Sequence, residues 1–253
     1  MCRGTVLAIL FVLVAAACGG SAASTNTIST TIGPTPATAS PTTSRPAPAS
    51  TTTAAVATTP ATTVPTISPG DIPDGIVGFV GCSVSQNAVA GYSRILGGTR
   101  LWPANAPYGG GSLGRWARDL ESDRSRYWTG FDEGLAENPD TTVIWFSLCT
   151  IRGAPGDSVD IAESIAGEVR KRLPGAVLYV SAQPDYAGGH VCELAGETGP
   201  QQMADIAAQL VDMGVALPGP LMGPLTEAQT ADGCHANDAG QELMGRQLMD
   251  FFG

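Results

Sequence analysis

The chain has 253 residues, a net charge of −10 and an aromatic content of 6%. It contains only two histidines, and none of its six cysteines are spaced as a CxxC pair, which argues against a structural zinc site. All 23 acidic residues and 11 of the 13 basic residues lie beyond residue 70. This acidic balance excludes nucleic acid and anionic lipid as expected ligands and otherwise indicates only a solvated surface.

The first 18 residues predict a lipoprotein signal peptide. Arg3 is followed by an apolar run over residues 6–14 and by small residues that end in Cys18. This order is typical of a secretory signal, and the run is too short for a stable membrane span. The ending resembles a bacterial lipobox, which predicts cleavage before Cys18 and lipid on its sulfur. The alternative is ordinary secretion with a chance cysteine. We therefore expect an exported protein, either lipid-anchored to the outer face of the bacterial cytoplasmic membrane or secreted.

Residues 19–70 predict a disordered linker. They consist almost entirely of Thr, Pro, Ala, Ser and Gly, with Arg45 as the single charge. A segment of this composition buries too little apolar surface to offset its chain entropy. Proline and β-branched threonine favour extended conformations, so the linker is expected to act as a tether.

Residues 71–253 predict one α/β domain, long enough to bury a sizeable core. The predicted strands are residues 76–80, 100–102, 141–148, 176–181 and 215–217. The predicted helices are residues 84–96, 113–120, 126–136, 157–172, 201–213 and 238–252. The strand at 141–148 is continuous and apolar, as is typical of a central parallel strand. Alternating strands and helices predict a three-layer α/β/α sandwich around a parallel sheet of about five strands, an arrangement of the flavodoxin type.

Ser83 is the candidate nucleophile. It follows the first predicted strand and precedes a helix. In open α/β sheets, reactive residues gather at this carboxyl edge. A serine at this position also has a simpler interpretation as a helix N-cap.

Asp232 and His235 are the candidate partners of that serine. Serine needs a base within hydrogen-bond reach, and the base needs a carboxylate that fixes its tautomer. His235 would be the base and Asp232 the orienting carboxylate, both in one turn before the last helix. The alternative is a surface loop whose histidine faces water.

These motifs resemble those of the SGNH/GDSL hydrolases. The family's first motif, Gly-Asp-Ser-Leu-Ser, is similar to residues 81–85, with Ser83 in the place of the nucleophile. Its last motif matches Asp232 and His235. The resemblance implies an SGNH-type domain over residues 71–253 and a serine esterase that needs no cofactor and no metal. It also implies that the backbone N–H groups of Ser83 and of a glycine in the second motif form the oxyanion hole; we assign that glycine to Gly111.

The third motif departs from the family. The usual Gly-x-Asn-Asp is absent, and residues 147–152 read Ser-Leu-Cys-Thr-Ile-Arg instead. The asparagine would donate to the oxyanion, so Thr150 or Arg152 is a possible replacement. The aspartate of the first motif is replaced as well, by Cys82.

The domain contains four cysteines, Cys82, Cys149, Cys192 and Cys234. An even number in an exported protein predicts two disulfides, for which the sequence alone allows three pairings. In the sheet order of the family, the strands that end at Cys82 and Cys149 are neighbours. The resemblance therefore implies a Cys82–Cys149 bridge and leaves Cys192 to pair with Cys234.

The expected activity is hydrolysis of an acyl ester, such as an acetyl ester, on a cell-envelope carbohydrate or lipid. The expected partners are a small-molecule, glycan or lipid ester and, through the lipid anchor only, the membrane; the protein is expected to be a monomer. One alternative is a tethered carbohydrate-binding module that kept the fold but lost activity. Another is a thiol enzyme that uses Cys82 with His235. A further histidine, His190, either lines the pocket or faces solvent.

Overall fold

A computed structural model describes residues 72–104, 111–118, 120 and 125–253. The predicted signal peptide, its Cys18 and the predicted linker lie outside these residues. The strands are β1 (Ile76–Val80), β2 (Thr141–Leu148), β3 (Val177–Ala182) and β4 (Leu217–Pro218). The helices are α1 (Ser83–Ala90), α2 (Leu113–Arg118), α3 (Arg126–Glu137), α4 (Val159–Arg172), α5 (Gly199–Asp212) and α6 (Asp238–Phe252). A π-helical turn, Gly91–Ile95, extends α1, and a short 3₁₀ helix, Glu227–Gln229, precedes α6.

The four strands form one parallel sheet in the order β1-β2-β3-β4. On the other side of β1, Leu101 makes a single parallel bridge to Val77. The chain therefore leaves β1 first towards one edge of the sheet and later towards the other. In open α/β sheets such a switch in strand order opens a crevice at the carboxyl ends of the strands. The crevice is expected where β1 and β2 end, which is the position of Ser83.

The sheet is covered by helices on both faces, as the sequence predicted. Helices α1 and α6 pack together on one face, where Phe251 and Phe252 contact Tyr179 of β3. Helices α2, α4 and α5 are in contact on the opposite face. Helix α3 joins them through Trp128, which contacts Trp116 of α2. The prediction of an α/β fold with a central parallel sheet and flanking helices is confirmed.

The predicted sheet of about five strands is corrected to four in the described part of the chain. The strand expected at 100–102 is reduced to the bridge at Leu101, because the chain turns at Ala104 instead of continuing alongside β1. Trp102 of this segment is a core residue that is 1% exposed, and its indole N–H donates to Thr141 Oγ1 at 2.9 Å. Within the described residues, no helix is both long and apolar enough to cross a membrane.

Candidate active site

Ser83 is the first residue of α1, and two residues separate it from the end of β1. The turn before it is tightly packed, because a Cβ on Gly81 would lie 2.2 Å from Ser85 Oγ. The same Ser85 Oγ accepts a hydrogen bond from the Cys82 N–H at 3.1 Å. The indole N–H of Trp116 donates to the Gly81 carbonyl at 2.9 Å. We call residues 81–85 the nucleophile turn; only glycine fits at its first position.

His235 lies beside the serine. Its Nε2 is 2.8 Å from Ser83 Oγ, and its Nδ1 is 2.7 Å from Asp232 Oδ2. The other carboxylate oxygen of Asp232 accepts hydrogen bonds from the backbone N–H groups of Cys234, at 3.0 Å, and His235, at 2.7 Å. The three predicted side chains therefore form one hydrogen-bonded chain from carboxylate to hydroxyl. In this arrangement, the proton on Nδ1 leaves Nε2 free to accept.

The electrostatics of this chain favour an ionised Asp232. The hydrogen bond from the His235 side chain is the largest cause, and together with the two backbone N–H donors it lowers the pKa of Asp232 to about 2. The carboxylate is not buried, since the Asp232 side chain is 53% exposed and that of His235 is 33% exposed. The orienting carboxylate is therefore held by hydrogen bonds and remains in contact with solvent.

The acid–base turn, which we define as residues 232–235, has no regular secondary structure of its own. Asn237 fixes the C-terminal end of this turn, because Asn237 Oδ1 caps α6 by accepting from the Ala239 and Gly240 N–H groups, at 3.1 and 3.2 Å. The β3–α5 loop, residues 183–198, holds its other side. Tyr186 Oη–H donates to the Cys234 carbonyl at 2.9 Å, and His190 Nε2 is 2.7 Å from the Gly233 carbonyl.

His190 thus has a role that the sequence did not suggest. It does not line the cavity that contains Ser83, but packs its ring against Tyr186, with ring centroids 5.5 Å apart. Tyr186 does line this cavity, and burial, followed by the nearby charge of Asp232, raises its pKa to about 12. Tyr186 therefore remains a neutral hydrogen-bond donor across the physiological range.

The helix that carries Ser83 also contacts the acid–base side of the site. Asn87 Oδ1, one helical turn beyond Ser83, accepts a hydrogen bond from the Ala236 N–H at 3.2 Å. Farther along, the π-helical turn crosses α6 so closely that a Cβ on Gly91 would lie 1.7 Å from the Gln241 carbonyl oxygen. A Cβ on Gly245 would lie 2.4 Å from the Gly91 carbonyl carbon. The sequence did not indicate this contact of Asn87, because a polar residue on a helix has no local signal of a distant partner.

The four cysteines form two disulfides, Cys82–Cys149 and Cys192–Cys234. The first joins the ends of the neighbouring strands β1 and β2, with Cα atoms 6.2 Å apart. The second joins the β3–α5 loop to the acid–base turn, with Cα atoms 4.7 Å apart. These are the pairs that the resemblance implied, and disulfides of this kind are consistent with an exported protein. Because Cys82 is in a disulfide, it has no thiolate, and the thiol-enzyme alternative is wrong.

Ser83 and His235 open into a cavity of about 360 Å³. Its walls include both disulfides and are mostly apolar, with Val84, Ile151, Leu194 and Ala195 among the lining residues. Pockets for small ligands have volumes of about 300–1,000 Å³, so this one is at the small end of the range. Such a space suits a short apolar group placed next to the serine.

The predicted oxyanion donors have different positions. Gly111 is buried two residues before α2, and the next residue, Ser112, lines the cavity. Thr150 lines the cavity, yet its N–H donates to Gln183 Oε1 at 2.9 Å and its hydroxyl donates to Asp157. Arg152 is exposed and lies outside the cavity. Neither replacement for the asparagine of the family is therefore available.

In the part of the chain that the structure describes, no group of three His, Cys, Asp or Glu residues is arranged to hold a metal.

Comparison with known proteins adds a distant likeness. No family model and no curated protein matches the chain. A solved structure from Slackia heliotrinireducens, a candidate SGNH hydrolase, is 16% identical, covers 71% of this chain and 100% of its own, and has a TM-score of 0.49. A second solved structure is 14% identical and covers 69% of this chain and 94% of its own, with a TM-score of 0.43. Likenesses this distant carry no argument about activity, which rests on the site itself.

Proposed function

We propose that the protein is a serine esterase that removes a short acyl group from an ester. The observation that carries this proposal is the hydrogen-bonded chain from Asp232 through His235 to Ser83, which opens into a small, mostly apolar cavity. A carboxylate, an imidazole and a hydroxyl in this order are the parts that activate a serine nucleophile. A serine that only caps its helix needs no such partners.

The proposed reaction has two halves. Ser83 Oγ attacks the ester carbonyl carbon while His235 Nε2 takes the hydroxyl proton and then gives it to the leaving alcohol. Asp232 stabilises the imidazolium that forms in between. A water molecule, activated by His235, then hydrolyses the acyl-enzyme and restores Ser83. The backbone N–H of Ser83, at the start of α1, is suited to donate to the oxyanion, because the first N–H groups of a helix have no acceptor within it.

The cavity and the sequence limit the proposed substrate. A volume of about 360 Å³ with apolar walls favours a short acyl chain, such as acetyl, over a long one. The acceptor that we propose is a carbohydrate or lipid of the cell envelope. The predicted export signal supports this acceptor, and the acidic balance of the chain argues against polyanionic ones.

The test compares the full-length protein with its Ser83→Ala variant. The wild type is expected to hydrolyse short p-nitrophenyl esters and to react covalently with a fluorophosphonate probe at Ser83. Ser83→Ala is expected to lose both reactions and to keep its melting temperature, because the substitution removes only the nucleophile. Equal hydrolysis by the variant would contradict the proposal. Absence of labelling in a folded wild type would instead favour the alternative, a carbohydrate-binding module with the same fold.

We also propose that Cys18 carries a lipid that anchors the mature protein to the outer face of the cytoplasmic membrane. The small residues before Cys18 and the long linker after it support this proposal. Expressed in a bacterial host, the wild type is expected to partition into detergent with a diacylglyceryl mass on Cys18. Cys18→Ser is expected to stay in the aqueous phase. A mature N-terminus at another residue, without lipid, would contradict the anchor.

A further inference from the structure

Ser112 is a buried serine whose hydroxyl is unused. The residue is 1% exposed and lines the cavity that contains Ser83 and His235. Its Oγ has no hydrogen-bond partner among the described residues. Buried hydroxyl groups in folded proteins are nearly always paired, because an unpaired one has lost its bonds to water without replacement. An unpaired hydroxyl at this position therefore points to a group that arrives from outside the protein.

The position of Ser112 in its helix makes the unused hydroxyl more informative. Its carbonyl accepts the N–H groups of Arg115 and Trp116, at 2.9 and 3.1 Å, so the residue stands at the N-terminal boundary of α2. A serine there ordinarily turns its Oγ back to accept an N–H of the first helical turn. Ser125, before α3, does this, because its side chain accepts from the Trp128 N–H. The Ser112 hydroxyl makes no such bond.

The other candidates for the same task are occupied or distant. Both polar groups of Thr150 are engaged, with Gln183 and Asp157, and Arg152 is outside the cavity. A free hydroxyl whose backbone is fixed at a helix boundary needs only a side-chain rotation to donate. Preorganised donors of this kind account for much of the stabilisation of an oxyanion.

We propose that Ser112 is a catalytic residue whose hydroxyl donates a hydrogen bond to the oxyanion, in the place of the side-chain amide that this chain lacks. The inference rests on the proposed esterase function. When Ser83 Oγ bonds to the carbonyl carbon, the π electron pair moves to the carbonyl oxygen, and the Ser112 O–H donates to that oxygen. The proton stays on Ser112, and the hydrogen bond weakens when the carbonyl re-forms.

The test is Ser112→Ala in the full-length protein, assayed with a short p-nitrophenyl ester. Loss of one oxyanion donor is expected to lower kcat by about 10²–10³-fold and to leave KM within about twofold, because the donor acts mainly in the transition state. The melting temperature is expected to stay the same or rise, since the variant removes an unpaired buried hydroxyl. Affinity for an alkyl boronic acid, which forms a tetrahedral adduct with the nucleophile, is expected to fall in parallel with kcat.

Ser181→Ala is the matched control. Ser181 is also buried, at 5% exposed, but its Oγ accepts from the Trp145 indole N–H at 3.0 Å and lies outside the cavity. This variant is expected to lower the melting temperature and to keep kcat within about twofold. Ser112→Ala is thus expected to lower kcat and keep the melting temperature, whereas Ser181→Ala is expected to lower the melting temperature and keep kcat.

The outcomes separate this inference from the proposed function. If Ser83→Ala abolishes turnover and Ser112→Ala leaves kcat unchanged, the esterase stands and the role of Ser112 is refuted. A lower melting temperature of Ser112→Ala with unchanged kcat would show a structural hydroxyl. Should Ser112→Ala fold poorly, Ser112→Gly removes the same hydroxyl at a helix boundary that tolerates glycine, and the same loss of kcat is expected.

Discussion

The two halves of the site are held in place in different ways. The nucleophile turn lies between strand β1 and helix α1, and its shape follows from the sheet, from Gly81 and from Ser85. The acid–base turn lies before α6 and has no regular structure. It is held from outside, by the Cys192–Cys234 bridge and by hydrogen bonds from Tyr186 and His190. Ser83 is therefore positioned by the fold, whereas His235 is positioned by cross-links from a loop.

Because of this difference, we expect the two disulfides to have different roles. The Cys82–Cys149 bridge joins strands that the hydrogen bonds of the sheet already align, so it adds stability more than position. The Cys192–Cys234 bridge joins two irregular segments and holds the base towards the nucleophile. The comparison predicts that removing the Cys192–Cys234 bridge reduces activity as well as stability, whereas removing the Cys82–Cys149 bridge reduces stability alone.

The largest expected effect is that of Asp232→Asn. Asparagine can still accept the two backbone N–H groups with its oxygen, but its amide then faces His235 Nδ1 and favours the wrong tautomer. A buried carboxylate in this role is worth about 10⁴-fold in kcat. Because the Asp232 side chain is 53% exposed and its charge is screened by solvent, we expect a smaller loss, about 10³-fold.

Steady-state kinetics with a short p-nitrophenyl ester measure this loss. Asp185→Asn is the control, because Asp185 is an exposed carboxylate in the β3–α5 loop that accepts the N–H of its neighbour Tyr186 and lies outside the cavity. That variant is expected to keep kcat within about twofold. A loss in Asp232→Asn below about fivefold would show that the exposed carboxylate does not orient the base.

The second prediction compares two paired variants, Cys82→Ser/Cys149→Ser and Cys192→Ser/Cys234→Ser. The bridges span 67 and 42 residues, and the entropy of loop closure makes each worth about 4 kcal/mol of folding free energy. Both variants are therefore expected to lose similar stability. Only the second is expected to lose kcat, by about 10²-fold, because a displacement of the base by about 1 Å has an effect of that size.

Urea unfolding gives the stability of each variant, and kinetics well below the unfolding transition give the activity. The two variants are controls for each other, since each replaces one disulfide with two serines. Equal losses of kcat at equal stability would refute the comparison. A loss of kcat confined to Cys82→Ser/Cys149→Ser would reverse it.

The smallest expected effect is a local loss of stability at low pH. Asp232 has a pKa of about 2 in the folded protein, below its ordinary value of 3.8, so its charged form stabilises the acid–base turn. That contribution is complete above about pH 4 and is lost as the pH falls towards 2. The nucleophile turn contains no titrating group, because Cys82 is in a disulfide.

Hydrogen exchange between pH 5 and 2, corrected for intrinsic rates, measures this difference. The amides of Cys234 and His235, which donate to Asp232, are expected to lose protection over this range, whereas the amide of Cys82 keeps its protection until the whole domain unfolds. In Asp232→Asn, the pH dependence at the two amides is expected to disappear. Parallel loss at all three amides in the wild type would indicate global unfolding instead.

The elements that could be predicted from the sequence are those with local signals. Strand β2 and helix α6 have the bounds that were predicted, because a continuous apolar run defines the first and an asparagine cap begins the second. Ser83, Asp232 and His235 also followed from local motifs, and the structure brings them within hydrogen-bond distance.

The parts that could not be predicted depend on contacts between distant segments. Nothing near Asn87 in the sequence indicates the Ala236 N–H that it accepts, and nothing near His190 indicates the Gly233 carbonyl. A run of glycines gives no register, so the sequence did not indicate that Ser112 lines the cavity. The segment at 100–102 has the composition of a strand, but it pairs with β1 only at Leu101, because the chain turns at Ala104.

The glycine contact between the π-helical turn and α6 brings two backbones together behind the reaction centre. Gly91 and Gly245 let two backbones touch, and these two helical segments follow Ser83 and His235 in the chain. Any side chain there would push the two helices apart and so lengthen the Ser83–His235 hydrogen bond from a distance. We therefore expect the distance that the proton crosses to depend on two glycines that do not line the cavity.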